Sequence, residues 1–285
     1  MFKSATIYRI AGSLNASRMN PFAPTQPTQE KSIGWIPPRE ENGALIESVA
    51  GQQIIKLAIE TRSVPAATIK EEVEKACAAV EQETGRKPGK KERRDIADEV
   101  KFNLLPSAFP KRVHILGWID PEAGLLVIDC TSTSRLDDFA KAVVEAGDGV
   151  VLQPLNTKQS PVGVMSVRLL DPDLDSVLWT GWACQLESMD DSKRKVKYAN
   201  CYLDTDEIKD YIRAGMAAVK LEFGFEDVVT FTLNESGSMS QIGLDVEYIG
   251  EEADAFDVDV SLFTKIMQQV IPALIHELGG LEEAA

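Results

Sequence analysis

The chain has 285 residues, 44% of them hydrophobic, and a formal net charge of −15. That length allows two or three compact units with a sizeable core. No apolar run reads as a membrane span and no extended apolar signal region follows Met1, so a cytosolic protein is the expectation. An acidic chain of this kind should be repelled by nucleic acid unless one face concentrates positive charge.

The charge is uneven. From Glu222 to Ala285 there are fourteen Asp or Glu and one Lys, Lys265. The first 221 residues hold thirty-one acids against twenty-nine bases. The acidity therefore belongs to the C-terminal part, and the middle of the chain is free to present a basic surface. The four cysteines, Cys77, Cys130, Cys184 and Cys201, form no Cys-x-x-Cys pair and read as small buried hydrophobes.

In chain order, residues 3–10 suit a strand, and residues 11–31, rich in Asn, Pro, Thr and Gln, read as loop up to Gly34-Trp35-Ile36-Pro37-Pro38. Residues 44–60 suggest a hairpin turning at Gly51-Gln52. Pro65 opens a helix with Ile69, Val73, Cys77 and Val80 on one face, ending near Gly85. A second helix runs from about Lys90 to Leu105, where Pro106 stops it. On this helix Ile96, Val100 and Leu104 share one stripe and Lys90, Arg94 and Lys101 another. Glu92, Asp95, Asp98 and Glu99 lie mostly on the third side. Such segregation differs from the interleaved charges of a simple solvated helix.

Val113–Ile119 and Leu125–Asp129 read as strands around residues 120–124. A helix over 134–146, a strand over 150–155 and a short helix after Ser160-Pro161 follow. Residues 182–187 and 195–203 suit strands. Asp204 with Glu207 suggests a capping box for a helix ending at Gly215. Alternation predicts strands through Val219–Phe225, Val229–Leu233 and Ile242–Tyr248, with an antiparallel turn at Asn234-Glu235-Ser236-Gly237. A helix over 261–278, apolar on more than one side, is buried or faces a partner chain. Pro272 should kink it, and Gly279-Gly280 ends it. The sum is a mixed α+β protein with antiparallel sheets and a helical insertion near 65–108.

Catalytic and cofactor signatures are weak. Gly85-x-x-x-Gly89-Lys90-Lys91 is one residue short of a phosphate-binding loop, and Lys91 stands where a metal-binding hydroxyl is needed. His114 and His276 cannot build a His-rich metal site, and no Gly-x-Ser-x-Gly elbow accompanies them. Asp190-Asp191 and Asp257-x-Asp259 read as loop solvation or helix capping rather than cation sites. Neither enzymatic activity nor a cofactor or metal is expected.

What remains is cationic. Arg86, Lys87, Lys90, Lys91, Arg93, Arg94, Lys101, Lys111 and Arg112 lie within 27 residues. They form either a solvated helical hairpin balanced by nearby carboxylates or a phosphate-contacting surface with salt-sensitive, sequence-independent affinity. No base-reading module accompanies them. Lys193, Arg194, Lys195 and Lys197 form a second cluster that reads as a charged hairpin turn.

The run Glu83-Thr84-Gly85-Arg86-Lys87-Pro88-Gly89-Lys90-Lys91-Glu92-Arg93-Arg94, followed by Asp98-Glu99-Val100 and Leu104-Leu105-Pro106-Ser107-Ala108-Phe109, resembles the recombination-associated protein RdgC family. So do Gly34-Trp35-Ile36-Pro37-Pro38, Trp118-Ile119-Asp120 with Gly124-Leu125-Leu126, and the closing Leu278-Gly279-Gly280. The resemblance implies a non-enzymatic homodimer closed into a ring around duplex DNA, with single-stranded DNA as a further ligand. It implies that occupied DNA restrains RecA filament formation, and that the protein is cytoplasmic and nucleoid-associated. It further implies a central α+β domain over 1–64 and 111–180, a helical tip over 65–110 and a C-terminal base region over 181–285. Phe109 would then sit at the tip dimer contact, and the nine cations would meet DNA. The chain departs from the family's usual pattern at residues 11–31, at Arg168 and Leu169, where the family has a Trp, and at Met216. The rival reading is an acidic protein-interaction module that blocks a recombination or DNA-processing partner.

Overall fold

The computed structural model describes residues 2–39, 43–171, 174–190, 193–245 and 255–282. The elements are β1 (Ser4–Leu14), β2 (Lys31–Ile36), β3 (Ile46–Val49), β4 (Gln52–Thr61), α1 (Ala66–Thr84) and α2 (Lys90–Leu104). Then come β5 (Lys111–Asp120), β6 (Leu125–Ile128), α3 (Thr133–Ala146), β7 (Gly147–Pro154), α4 (Pro161–Leu170) and β8 (Leu178–Ser188). The chain continues through β9 (Lys195–Tyr198), α5 (Asp206–Arg213), β10 (Met216–Phe225), β11 (Val229–Asn234), β12 (Met239–Leu244) and α6 (Ala255–Glu277). The strand ladders among the described residues are antiparallel, as the α+β expectation requires.

Two compact units share the chain. The larger comprises Met1–Arg18, Pro37–Ile55 and Leu116–Ala285; the smaller comprises Met19–Ile36 and Lys56–Ile115. Strands β4 and β5 contribute residues to both.

In the larger unit the strands follow the order β6-β1-β12-β11-β10-β8-β9, with β7 also paired to β1. Alternation does the sorting: Leu221 and Phe223 of β10 and Phe231 and Leu233 of β11 are buried, while Lys220 stays exposed. Against them packs α6, whose Val260, Phe263, Met267, Val270, Ile271 and Leu274 are buried. Phe263 stacks on Phe2 at 4.7 Å between centroids and meets Trp118 edge-on at 6.0 Å. By length and composition α6 could cross a bilayer, which corrects the expectation that no apolar run is long enough. Its apolar side chains instead fill this core.

The sequence places most elements, with corrections. Strand β1 continues to Leu14 and is followed by a 3-10 turn over Ala16–Arg18, so the irregular stretch is shorter than 11–31. Lys31–Ile36, where the sequence reading ends the loop at residue 31 and assigns no further element, is a strand. The α5 cap is Thr205, whose hydroxyl accepts from the Ile208 N–H; Asp204 instead pairs with Lys209 at 2.6 Å. Strand β9 stops at Tyr198, and α6 begins at Ala255. Val246 and Tyr248 lie outside the described residues.

In the smaller unit β2 pairs with β4, from Lys31 opposite Thr61 to Ile36 opposite Lys56. The strap formed by residues 20–25 runs beside β2, with a parallel bridge between Pro21 and Trp35. The Phe22 N–H donates to the Trp35 carbonyl and the Trp35 N–H to the Asn20 carbonyl, each at 2.9 Å. A Cβ on Gly34 would fall 2.4 Å from the Phe22 Cα. Gly34 is therefore glycine because two backbones pass too closely for a side chain. Between β4 and β5 the chain rises into α1 and α2, separated by Gly85 at φ +70° and closed by a 3-10 turn over Leu105–Ser107 that contains Pro106.

Candidate nucleic-acid interface

The hairpin of α1 and α2 has a thin apolar seam. Val73 is buried, and Ile69, Cys77, Val80, Ile96, Val100 and Leu104 are half-buried, so the stripes read from sequence face inward. The turn and the remaining faces of α2 are left to solvent. At the start of α2 the Glu92 carboxylate accepts the Gly89 N–H at 3.3 Å and is paired with Arg86 at 2.9 Å. The Arg86 guanidinium, followed by the Gly89 hydrogen bond, holds the Glu92 carboxyl below its usual range.

The nine expected contact residues divide into two groups. Lys87, Lys90, Lys91, Arg93, Arg94 and Lys111 are exposed and have no carboxylate partner among the described residues. The other three are engaged: Arg86 with Glu92, Lys101 with Glu30 at 2.8 Å, and Arg112 with Glu60 at 2.8 Å. The stripe Lys90, Arg94 and Lys101 is thus present, but its third member is already neutralised.

Four of the six unpaired cations, Lys90, Lys91, Arg93 and Arg94, occupy the first five residues of α2. Positive side chains are disfavoured there, because the helix dipole puts partial positive charge at that end. The same dipole and the free N–H groups of the first turn favour an anion. Cations and helix terminus together concentrate positive potential at the start of α2.

At the root of the hairpin a buried carboxylate organises the chain. Glu60, 3% exposed, accepts from the Thr25 N–H and hydroxyl at 2.8 and 2.7 Å and from Arg112 Nε and Nη2 at 2.9 and 2.8 Å. Arg62 extends the network, donating to the Thr25 hydroxyl at 2.9 Å and to the Ala108 carbonyl at 2.7 Å. The Thr25 bonds, then Arg112, hold the Glu60 carboxyl down at about 2 against the upward push of burial. Arg112 also lies over the Phe22 ring, 4.5 Å from its centroid. Further along β5, His114 is held below its ordinary value by burial, then by Lys56 and Arg112.

Sequence reading does not single out Glu60, Thr25, Arg62 or Lys56. The available signal is Glu60 at the end of the apolar run Ile54-Ile55-Lys56-Leu57-Ala58-Ile59, where an ionisable group needs partners.

Phe109 is 89% exposed beside Ala108, and Phe102 is 56% exposed on α2. The second basic cluster is locally balanced: Lys195 pairs with Glu187 at 2.7 Å and Arg194 reaches Asp190 at 3.8 Å, in keeping with a charged turn. Asp257 pairs with Arg39, and Asp191 lies outside the described residues. Among the described residues, no three His, Cys, Asp or Glu side chains are grouped to hold a metal ion.

Residues 1–281 match the family model described as "Putative exonuclease, RdgC". The chain belongs to the RdgC family. It is 30% identical over 296 residues to the recombination-associated protein RdgC of Herminiimonas arsenicoxydans, covering 98% of both chains. It is 29% identical to that of Janthinobacterium sp. (strain Marseille), again covering 98% of each. Against the RdgC protein of Cupriavidus pinatubonensis it is 30% identical over 92% of this chain and 90% of the relative. Membership of a recombination-associated family gives the cationic hairpin a context that its composition alone leaves open.

Proposed function

We propose that the protein binds double-stranded DNA without sequence preference, as a ring-shaped homodimer that restrains RecA-type recombination and catalyses no reaction. One observation carries this reading: five exposed cations without a carboxylate partner among the described residues, Lys87, Lys90, Lys91, Arg93 and Arg94, gathered on one helical hairpin of an acidic chain, with Lys111 at the start of β5. Lys and Arg release counterions when they meet phosphate, which gives affinity independent of sequence and steep in salt. A local positive field can attract DNA even where the net charge is negative. The exposed Phe109 beside the hairpin root supports a contact between two copies there, and encirclement would let modest phosphate contacts suffice.

The test is duplex binding by the full chain and by a variant carrying Lys90→Glu, Lys91→Glu, Arg93→Glu and Arg94→Glu. These residues are exposed, so the fold should persist. Affinity for unrelated duplexes should fall together by at least tenfold. The slope of log affinity against log salt should shrink by about 0.9 for each lost phosphate contact. Unchanged affinity overturns the proposal. The family description's word "exonuclease" favours a second reading, metal-dependent strand cleavage. Incubating linear duplex with the protein and Mg²⁺ separates the two: intact DNA supports the binding reading, and shortened strands that survive further purification overturn its non-enzymatic part.

A further inference from the structure

A different chemistry stands in the larger unit. Trp179, Trp182 and Tyr202 line one cavity of about 310 Å³ together with Leu174, Leu178, Leu203 and Asp204. Trp182 is 55% and Tyr202 64% exposed, and Val177 and Leu174 add exposed apolar surface nearby. Single exposed hydrophobics need no explanation, but several converging on one cavity mark an interaction site.

The aromatics are held in place. Trp179 Nε1 donates to the Glu226 carbonyl at 2.8 Å, and its ring lies so close to Gly224 that a Cβ there would be 2.1 Å away. Trp182 donates its backbone N–H to Glu222 at 2.7 Å, and the Tyr202 hydroxyl lies 3.3 Å from Asp204.

Charge selects the occupant. Arg168 at the cavity wall is buried and paired with Glu277, and Lys209 is bound to Asp204. Glu222, which accepts the Trp182 N–H, has no cationic partner among the described residues. The surrounding unit holds sixteen Lys or Arg against thirty-four Asp or Glu, a field that repels phosphate and attracts cations. Indole and phenol faces with a carboxylate that lacks a cationic partner at Trp182 suit a guanidinium or ammonium group.

We propose that this cavity docks an Arg or Lys side chain from an apolar and basic segment of a partner protein. The site lies wholly within the larger unit, so its test is independent of the hairpin. The full chain is titrated with a short peptide of Arg and Leu, with a second peptide carrying Gln for Arg, and with oligothymidylate, following indole fluorescence. The Arg peptide should bind saturably and the Gln peptide at least tenfold more weakly. Trp182→Ala and Tyr202→Ala, both at exposed positions, should each weaken the Arg peptide at least tenfold, and Trp182→Phe should largely restore it. Equal affinity across the variants overturns the proposal. So does binding of the oligonucleotide that Trp182→Ala abolishes, which would make the face a base-stacking surface. A halving of the native mass by Trp182→Ala, which would make it a contact between copies, overturns it too.

Discussion

The smaller unit, Met19–Ile36 and Lys56–Ile115, holds fourteen Lys or Arg against eleven Asp or Glu, a net of +3, while the larger holds a net of −18. The contrast extends to what holds each together. In the larger unit a contiguous apolar cluster runs from Phe2 through Phe223 and Phe231 to α6. The hairpin of the smaller unit buries little beyond Val73 and Leu105, and its root rests on the Glu60 network. Like charges brought together repel, so a unit that concentrates cations gains from a buried anion that fixes its root. The larger unit, with its contiguous apolar cluster, rests on hydrophobic packing instead. The two units are thus held together by different residue chemistry.

The largest expected effect lies in the larger unit. Phe263→Ala removes a ring packed against Phe2 and Trp118 and should cost about 3–5 kcal/mol, read by denaturant unfolding. A loss below about 1 kcal/mol would mean that α6 does not anchor this core.

Glu60→Gln should follow, costing about 3 kcal/mol, because it leaves Arg112 without its counter-charge. Hydrogen exchange should rise through residues 56–115 while α6 stays protected, which would sharpen the contrast between the units. The pH dependence has a defined sign. Glu60 is held at about 2 in the folded chain, against a reference value of 4.5. Its contribution is therefore complete above about pH 4.5 and is lost as the pH falls toward 2. The variant should show a flatter acid-unfolding curve in that window; an identical curve would remove Glu60 from the account.

The smallest effect belongs to Lys101→Ala. Its pair with Glu30 is largely exposed, and such pairs contribute about 0–1 kcal/mol. Thermal unfolding should barely move. Since Lys101 is already neutralised, DNA affinity should change less than for Arg94→Ala, and the reverse order would show that the Glu30 pair opens on binding.

Much of the fold was legible because local chemistry decided it. Gly85 and Pro106 bound the hairpin helices, alternation marks β10 and β11, and the segregated stripes of α2 orient its seam inward. All of these depend on neighbours within a few residues. Lys31–Ile36 was missed because its strand character comes from pairing with β4 and from the strap over Gly34, partners that lie some 12 to 30 positions away. The cap of α5 was misplaced by one residue because Asp204 and Thr205 are both competent caps, and the Asp204–Lys209 pair takes one of them away.

The sequence by itself determined that the chain is a mixed α+β protein with a cluster of positive charge from the turn of a helical hairpin through its second helix, since periodicity, turn residues and charge counts are properties of adjacent positions. Only the tertiary structure decided which of those charges are available. Arg86, Lys101 and Arg112 spend theirs on Glu92, Glu30 and Glu60, and Trp179, Trp182 and Tyr202 meet around one cavity. Coulomb and stacking interactions act through space over a few ångströms, and residues far apart in the chain become neighbours only when it folds.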